Sequence, residues 1–226
     1  MEKNIHNSHR GKKTDDGYIP HIPPAAFDFM TKYYDTITEV FGFGKSFKRR
    51  IFDMLNAQDG ETVLDIGAGT GTFLSIAAQE LHKSRLIGVD PDRNALTIAK
   101  RKLASVGLRV LLYEASAEHL PLPDETVDAC VSTLVFHHLP RLTKAKAIEE
   151  IYRVTKPGGR FLLVDFGKQA SILGKILLFV GSFIDGRENV KANLEGIVPI
   201  YLQKAGFTVS EVAKPYRGVT FLLAQK

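Results

Sequence analysis

The sequence predicts an α/β fold, a mostly parallel sheet with helices on both faces, and three observations carry that prediction. Strand-like apolar runs alternate with helical periodicity between Thr62 and Asp165, as parallel strands joined by crossover helices require. Val63–Gly71 reads V-L-D-I-G-A-G-T-G, an apolar strand that reaches Asp65 and then breaks into alternate glycines before a helix. The motif residues that interrupt these runs fall at the carboxyl ends of the strands, where open α/β sheets bind ligands.

Residues 1–17 are polar and lack an apolar core. They are expected to be a poorly ordered tail, neither a signal nor a transit peptide, which predicts a cytoplasmic protein. Residues 18–56 are expected to form a helical cap. It opens on the proline-punctuated, extended Tyr18–Pro24, and Phe29, Tyr33, Ile37 and Val40 then recur at helical spacing over Ala25–Val40. A second helix is expected over Lys45–Leu55, with Lys45, Lys48 and Arg49 on one face. That face reads either as a solvated surface or as a contact for an anionic substrate group or a membrane headgroup.

Residues 57–226 are expected to form the main domain. After the glycine turn a helix runs to about His82, followed by a strand over Arg85–Val89. Asp92 is placed to cap a helix reaching Ser105. A strand over Leu108–Tyr113, a strand over Val127–Thr133, a helix over Thr143–Val154 and a strand over Arg160–Asp165 continue the alternation. Ser171–Ile184 is nearly all apolar and too short to span a bilayer. It reads as a core-covering helix, a lid over a lipophilic substrate or an interfacial anchor. A helix over Asn189–Ala205 ends at Gly206, and Phe207–Ala213 with Val219–Ala224 reads as a closing antiparallel pair.

Alternate glycines allow positive φ and leave bare backbone for a ligand, and the following helix N-terminus offers unpaired N–H groups. Gly67, Gly69 and Gly71 make G-x-G-x-G. A dinucleotide fingerprint would need its third glycine at Thr72, where a Cβ intrudes between helix and pyrophosphate. A nicotinamide-dependent oxidoreductase is therefore disfavoured. Asp90, at the tip of the next strand, stands where a ribose diol would be held.

The 226 residues fit one ordinary domain. The single cysteine, Cys130, excludes an internal disulfide or a cysteine-rich metal cluster; its apolar surroundings predict a buried, inert thiol, and no metal is expected. A net charge of +5 permits an anionic partner but is too mild to demand nucleic acid.

Val63–Gly71, Asp90-Pro91, Ala115-Ser116-Ala117-Glu118 and Lys156-Pro157-Gly158-Gly159, in that order, resemble the class I S-adenosylmethionine (SAM) methyltransferases. The resemblance covers roughly Thr62 to Asp165. It implies a Rossmann-like, seven-stranded, mostly parallel sheet whose last strand inserts antiparallel. The stretch Tyr34-Asp35 … Phe43-Gly44-Lys45 … Phe47-Lys48-Arg49 is similar to the N-terminal region of ubiquinone/menaquinone C-methyltransferases.

The resemblance implies a cofactor site. SAM's amino-acid end would lie over Gly67, Ala68, Gly69 and Gly71, with Asp65 orienting either the loop or the ammonium. Asp90, beside Pro91, would accept two hydrogen bonds from the ribose. Ser116 stands where relatives commonly carry an acidic residue for the adenine amino group, and its hydroxyl accepts that bond neutrally. Ala117 would offer its backbone N–H to the ring. Thr133 and Leu134 would meet cofactor and substrate at the end of their strand, and Tyr34 either covers SAM or packs as a core aromatic.

Methyl transfer is an in-line displacement with an already activated leaving group, so it needs alignment above all, and a general base only where the nucleophile starts protonated. His137 and His138, just past that strand, are the candidate bases, with a structural or cofactor-covering role as the alternative; Asp165 is a weaker candidate. The expected reaction is SAM-dependent methylation of a small molecule, with a quinone-like or lipid acceptor and peripheral membrane contact both open. Phe136-His137-His138-Leu139 departs from the phenylalanine-glycine and arginine-asparagine signature of the quinone enzymes at this point. A SAM-binding module without catalysis is the alternative. Methylation of RNA lacks an aromatic-interleaved basic patch, and methylation of protein lacks an asparagine-proline-proline-aromatic motif. Oligomeric state is not legible.

Overall fold

The computed structural model describes residues 34–104, 110–167 and 187–226. The alternation read from the sequence becomes β1 (Thr62–Ile66), α3 (Thr72–Glu80), β2 (Arg85–Asp90), α4 (Arg93–Ala104) and β3 (Leu111–Glu114). Then come β4 (Val127–Thr133), a 3-10 turn (Phe136–His138), α5 (Arg141–Val154) and β5 (Thr155–Phe166). Helices α1 (Tyr34–Val40) and α2 (Lys45–Leu55) precede them; α6 (Arg187–Leu194), α7 (Ile197–Ala205), β6 (Thr208–Tyr216) and β7 (Val219–Gln225) follow.

The seven strands are ordered β3-β2-β1-β4-β5-β7-β6. The first five run parallel, and β7 pairs antiparallel with both β5 and β6. The order reverses between β1 and β4, so the loops leaving these two strands lie side by side. A crevice is expected there. The expected seven-stranded, mostly parallel fold with an antiparallel insertion is what forms.

Side chains alternate across the sheet, as strand geometry demands. Leu64, Cys130, Phe161 and Leu163 pack with Ile148 and Ile151 of α5 and Leu202 of α7. Their neighbours Val63, Val131 and Leu162 pack with Ile51 and Leu55 of α2 and Phe73 and Leu74 of α3. Both faces are thereby covered, and burial pushes the Cys130 thiol up to about 12, which leaves it unreactive.

Asp92 caps α4 as expected, accepting the Asn94 and Ala95 N–H groups at 2.8 and 3.3 Å. The single helix expected over Asn189–Ala205 is two helices. Gly196 takes φ +76° between them, a conformation that ends one helix and starts the next in a new direction. Strand β5 begins at Thr155 rather than Arg160, and Gly158 turns at φ +77° within it. The tail, the start of the cap and the apolar Ser171–Ile184 lie outside the described residues. No described helix is long and apolar enough to cross a membrane, and no described cluster of three or more His, Cys, Asp or Glu could hold a metal.

Candidate active site

The glycine loop is built by packing as much as by dihedral freedom. Gly67, Gly69 and Gly71 all have positive φ, but their surroundings differ. A Cβ at Gly67 would collide with Val135 Cγ2, and one at Gly71 would come within 2.9 Å of Ala99 Cβ on α4. A Cβ at Gly69 would meet nothing within 4 Å. Gly69 is thus the glycine with open space above it, and the other two let elements approach.

The loop amides are largely spent inside the fold. Gly67 and Ala68 donate to the Val89 carbonyl at 2.8 and 3.0 Å, and Gly71 donates to that of Ala68 at 2.9 Å. The Gly69 N–H donates to Asp90 Oδ2 at 2.8 Å, while Asp90 Oδ1 accepts the Asp92 N–H at 2.8 Å. Asp90 therefore fastens the loop to the tip of β2 as well as facing the cavity.

Asp65 is 1% exposed, and neither of its oxygens has a hydrogen-bond partner. Burial, the field of Lys48 and the nearby Asp90 set its carboxyl, with burial dominant, at about 6. Lys48 reaches in from α2. Burial lowers its ammonium, against the opposing pull of Asp65 and Asp35. A carboxylate and an ammonium thus feel each other without closing a bond, a costly arrangement in a protein interior.

Asp35 of α1 sits against the start of α3. Its Oδ1 accepts the hydroxyls of Thr70 and Thr72 at 2.5 and 3.1 Å, and its Oδ2 accepts Lys102 Nζ at 2.7 Å. Burial pushes the carboxyl up, but Lys102 and the two hydroxyls hold it below the ordinary range. The first helix is in this way latched over the glycine loop by groups from α1, α3 and α4.

On the other side of the crevice, Thr133 ends β4 with an Oγ1 that is buried and without a hydrogen-bond partner. Leu134 follows at φ +59°, a strained conformation for a branched residue and one that clusters at functional sites. The 3-10 turn then brings in two histidines. His137 is buried and bonds Asp165 through Nδ1 at 2.8 Å; His138 faces the crevice.

Between the two loops lies a cavity of about 1030 Å³, at the upper end of the roughly 300–1,000 Å³ of small-molecule clefts. Gly67, Ala68, Gly69, Asp90, Pro91, Ser116, Ala117, Thr133, Leu134 and His138 all line it. Asp65, Gly71 and His137 stand behind the lining, and the side chain of Tyr34 lies outside the described residues. Sequence reasoning did not single out Asp35, Thr70, Lys102 or Asn189, which also line the cavity. Their partners are distant in sequence; only the hydroxyl of Thr70, inside the glycine motif, offered a local signal.

Residues 64–163 match the methyltransferase domain family. The ubiquinone/menaquinone biosynthesis C-methyltransferase UbiE of Escherichia fergusonii is 33% identical over 147 residues, covering 63% of this chain and 58% of the relative. The Enterobacter sp. protein of the same name matches to the same extent, so the chain spans under two thirds of the length of these relatives. A SAM-dependent methyltransferase structure from Aquifex aeolicus shares the fold with a TM-score of 0.69 at 23% identity, over 88% of this chain and 98% of that one. The Haemonchus contortus phosphoethanolamine N-methyltransferase 2 structure has a TM-score of 0.65 at 22% identity, over 84% and 44%. Residues 64–163 are thus similar to the methyltransferase domain family, and the chain shares the fold of a SAM-dependent methyltransferase structure.

Proposed function

We propose that the chain transfers a methyl group from SAM to a small, lipophilic acceptor, with a reduced quinone as the first acceptor class. The observation that carries the reading is one cavity, at the β1–β4 reversal, lined by the glycine loop, Asp90 and Thr133 at once. The residues fit the cofactor. Gly69 leaves open space where an amino-acid tail can lie against backbone. Lys48 is a cavity-lining cation suited to the tail's carboxylate, and the unsatisfied Asp65 behind it favours the ammonium. Asp90, whose carboxylate accepts the Gly69 and Asp92 amides, lines the cavity at the tip of β2, where a ribose diol would lie. Ser116 and Ala117 line the adenine end, and the partnerless Thr133 hydroxyl serves the middle.

Bound SAM supplies a methyl group on a sulfonium that is already a good leaving group. The chain's contribution is therefore orientation and exclusion of water. Leu134, Val135, Leu139, Pro140 and Phe43 give the acceptor end an apolar lining, and His138 is the titratable ring of the histidine pair that faces it. The quinone class is supported by the 33% identical relative, a ubiquinone/menaquinone biosynthesis C-methyltransferase by name.

Two measurements test this. Thermal shift should show stabilisation by SAM and by its demethylated product S-adenosylhomocysteine (SAH), and none by NAD(P). Incubation with methyl-labelled SAM and a reduced, unmethylated naphthoquinone should give a labelled organic-phase product. Stabilisation by NAD(P) alone would overturn the cofactor; label absent from every quinol, with SAH bound, would overturn the acceptor.

A further inference from the structure

We propose that Asp165 and His137 form a buried positioning pair that presents the ring of His138 to the acceptor. This rests on the methyltransferase reading above and assigns the two histidines different work.

Asp165 ends β5 and is 3% exposed. Its carboxylate accepts three N–H groups: the His137 ring at 2.8 Å, the His137 backbone at 3.2 Å and the Phe166 backbone at 2.7 Å. Burial pushes that carboxyl up, but His137 and the Phe166 amide hold it below the ordinary range. An ionised carboxylate only accepts, so the proton on His137 is at Nδ1. The same ring is held edge-on by Phe166, with centroids 5.1 Å apart at 86°.

On its other side His137 meets the ring of His138, with centroids 3.9 Å apart and planes 41° apart. His138 lines the cavity and His137 does not. The backbone of the turn is fixed independently. Asn189 Nδ2 donates to the His138 carbonyl at 2.9 Å, and Lys144 Nζ donates to the carbonyls of Leu139 and, at 3.0 Å, Asn189. A link from β4 to α5 could be made with apolar residues at no loss of stability, since buried charges gain little over packed hydrocarbon. Buried Asp165 on His137, and buried Lys144 on the Leu139 carbonyl just past the turn, instead fix a ring in a single orientation, as a reacting group needs.

With His138 so held, it takes the proton that the acceptor sheds as its new bond to the methyl carbon forms. The electron pair of the broken carbon–sulfur bond stays on sulfur, and the proton later passes from His138 to solvent.

The test uses the full chain with 15N-labelled histidine and bound SAH, comparing wild type with Asp165→Asn and His137→Gln. In wild type, long-range 1H–15N spectra should show His137 protonated at Nδ1 and one sharp set of His138 ring signals. In Asp165→Asn the His138 signals should shift and broaden while SAH affinity stays within twofold. Turnover of the reduced naphthoquinone should fall at least tenfold in kcat with KM for SAM unchanged, and Asp165→Glu should recover part of it. His138 signals unchanged in both variants would overturn the proposal; should Asp165→Asn fail to fold by circular dichroism, His137→Gln decides it. A wild type that binds SAH yet leaves the quinol unmethylated counts against the acceptor class, and the ring signals still decide the positioning role.

Discussion

At the scale of the residue, Asp65 is a buried carboxyl whose oxygens have no hydrogen-bond partner. Its carboxyl titrates near 6 rather than 3.8, chiefly through burial. Ionising it inside the fold therefore carries a penalty of about 3 kcal/mol. An acid that holds its proton more tightly folded than unfolded lends stability at low pH and loses it as pH rises. The wild type should lose on the order of 2–3 kcal/mol relative to Asp65→Asn between pH 4 and 6.5, read as urea-unfolding free energies. Lys48 gives a sharper prediction about ligand. Lys48→Met should weaken SAH by roughly tenfold, the scale of one charge-assisted bond. Methylthioadenosine, which lacks the amino-acid tail, should bind both proteins alike; equal losses for the two ligands in calorimetry would reject the assignment. The acidic residue was legible from its place at a strand tip. The cation was visible only as one of a basic run, because nothing in Lys45–Arg50 says which member points inward.

At the scale of the element, the glycine loop and α1 respond separately. Gly69→Ala adds a Cβ into open space at φ +53°, so only the left-handed backbone strain of about 1–2 kcal/mol falls on stability. Its larger effect should be on SAH affinity. Gly71→Ala drives a Cβ toward Ala99 and should destabilise the fold by more than that, with α3 and α4 forced apart. Differential scanning calorimetry with and without SAH separates the two. Asp35→Ala removes the three groups' shared acceptor, which should loosen α1 and raise the SAH dissociation rate several-fold in stopped flow. Strand–glycine–helix was readable because its signals are adjacent in sequence. The latch was not: Asp35 and Lys102 lie on helices separated by two strands. The break at Gly196 was missed because apolar periodicity continues on both sides of it.

At the scale of the whole molecule, Arg160 joins the sheet to the cap. Its guanidinium donates to the carbonyls of Leu55 and Asn56 at 2.7 Å each and to both oxygens of Glu61, at 3.0 and 2.7 Å. Burial opposes ionisation of Glu61, but Arg160 and the Gln58 amide keep its carboxyl below the ordinary range. Arg160→Met should cost about 2–3 kcal/mol, seen as a lower urea midpoint at unchanged slope. The sheet itself was legible because a parallel order needs alternating elements, and its closing antiparallel pair from two strand-like runs, while the insertion of the last strand beside β5 followed from the family resemblance. One contact spans the reversal: Val135, beside the histidine turn, rests on Gly67 so closely that not even a methyl group would fit between them. Whatever displaces the first loop must therefore displace the second. Acceptor and cofactor then cannot bind as strangers; each must alter the other's dissociation constant by the same factor, and a thermodynamic cycle of the two ligands would measure that shared factor directly.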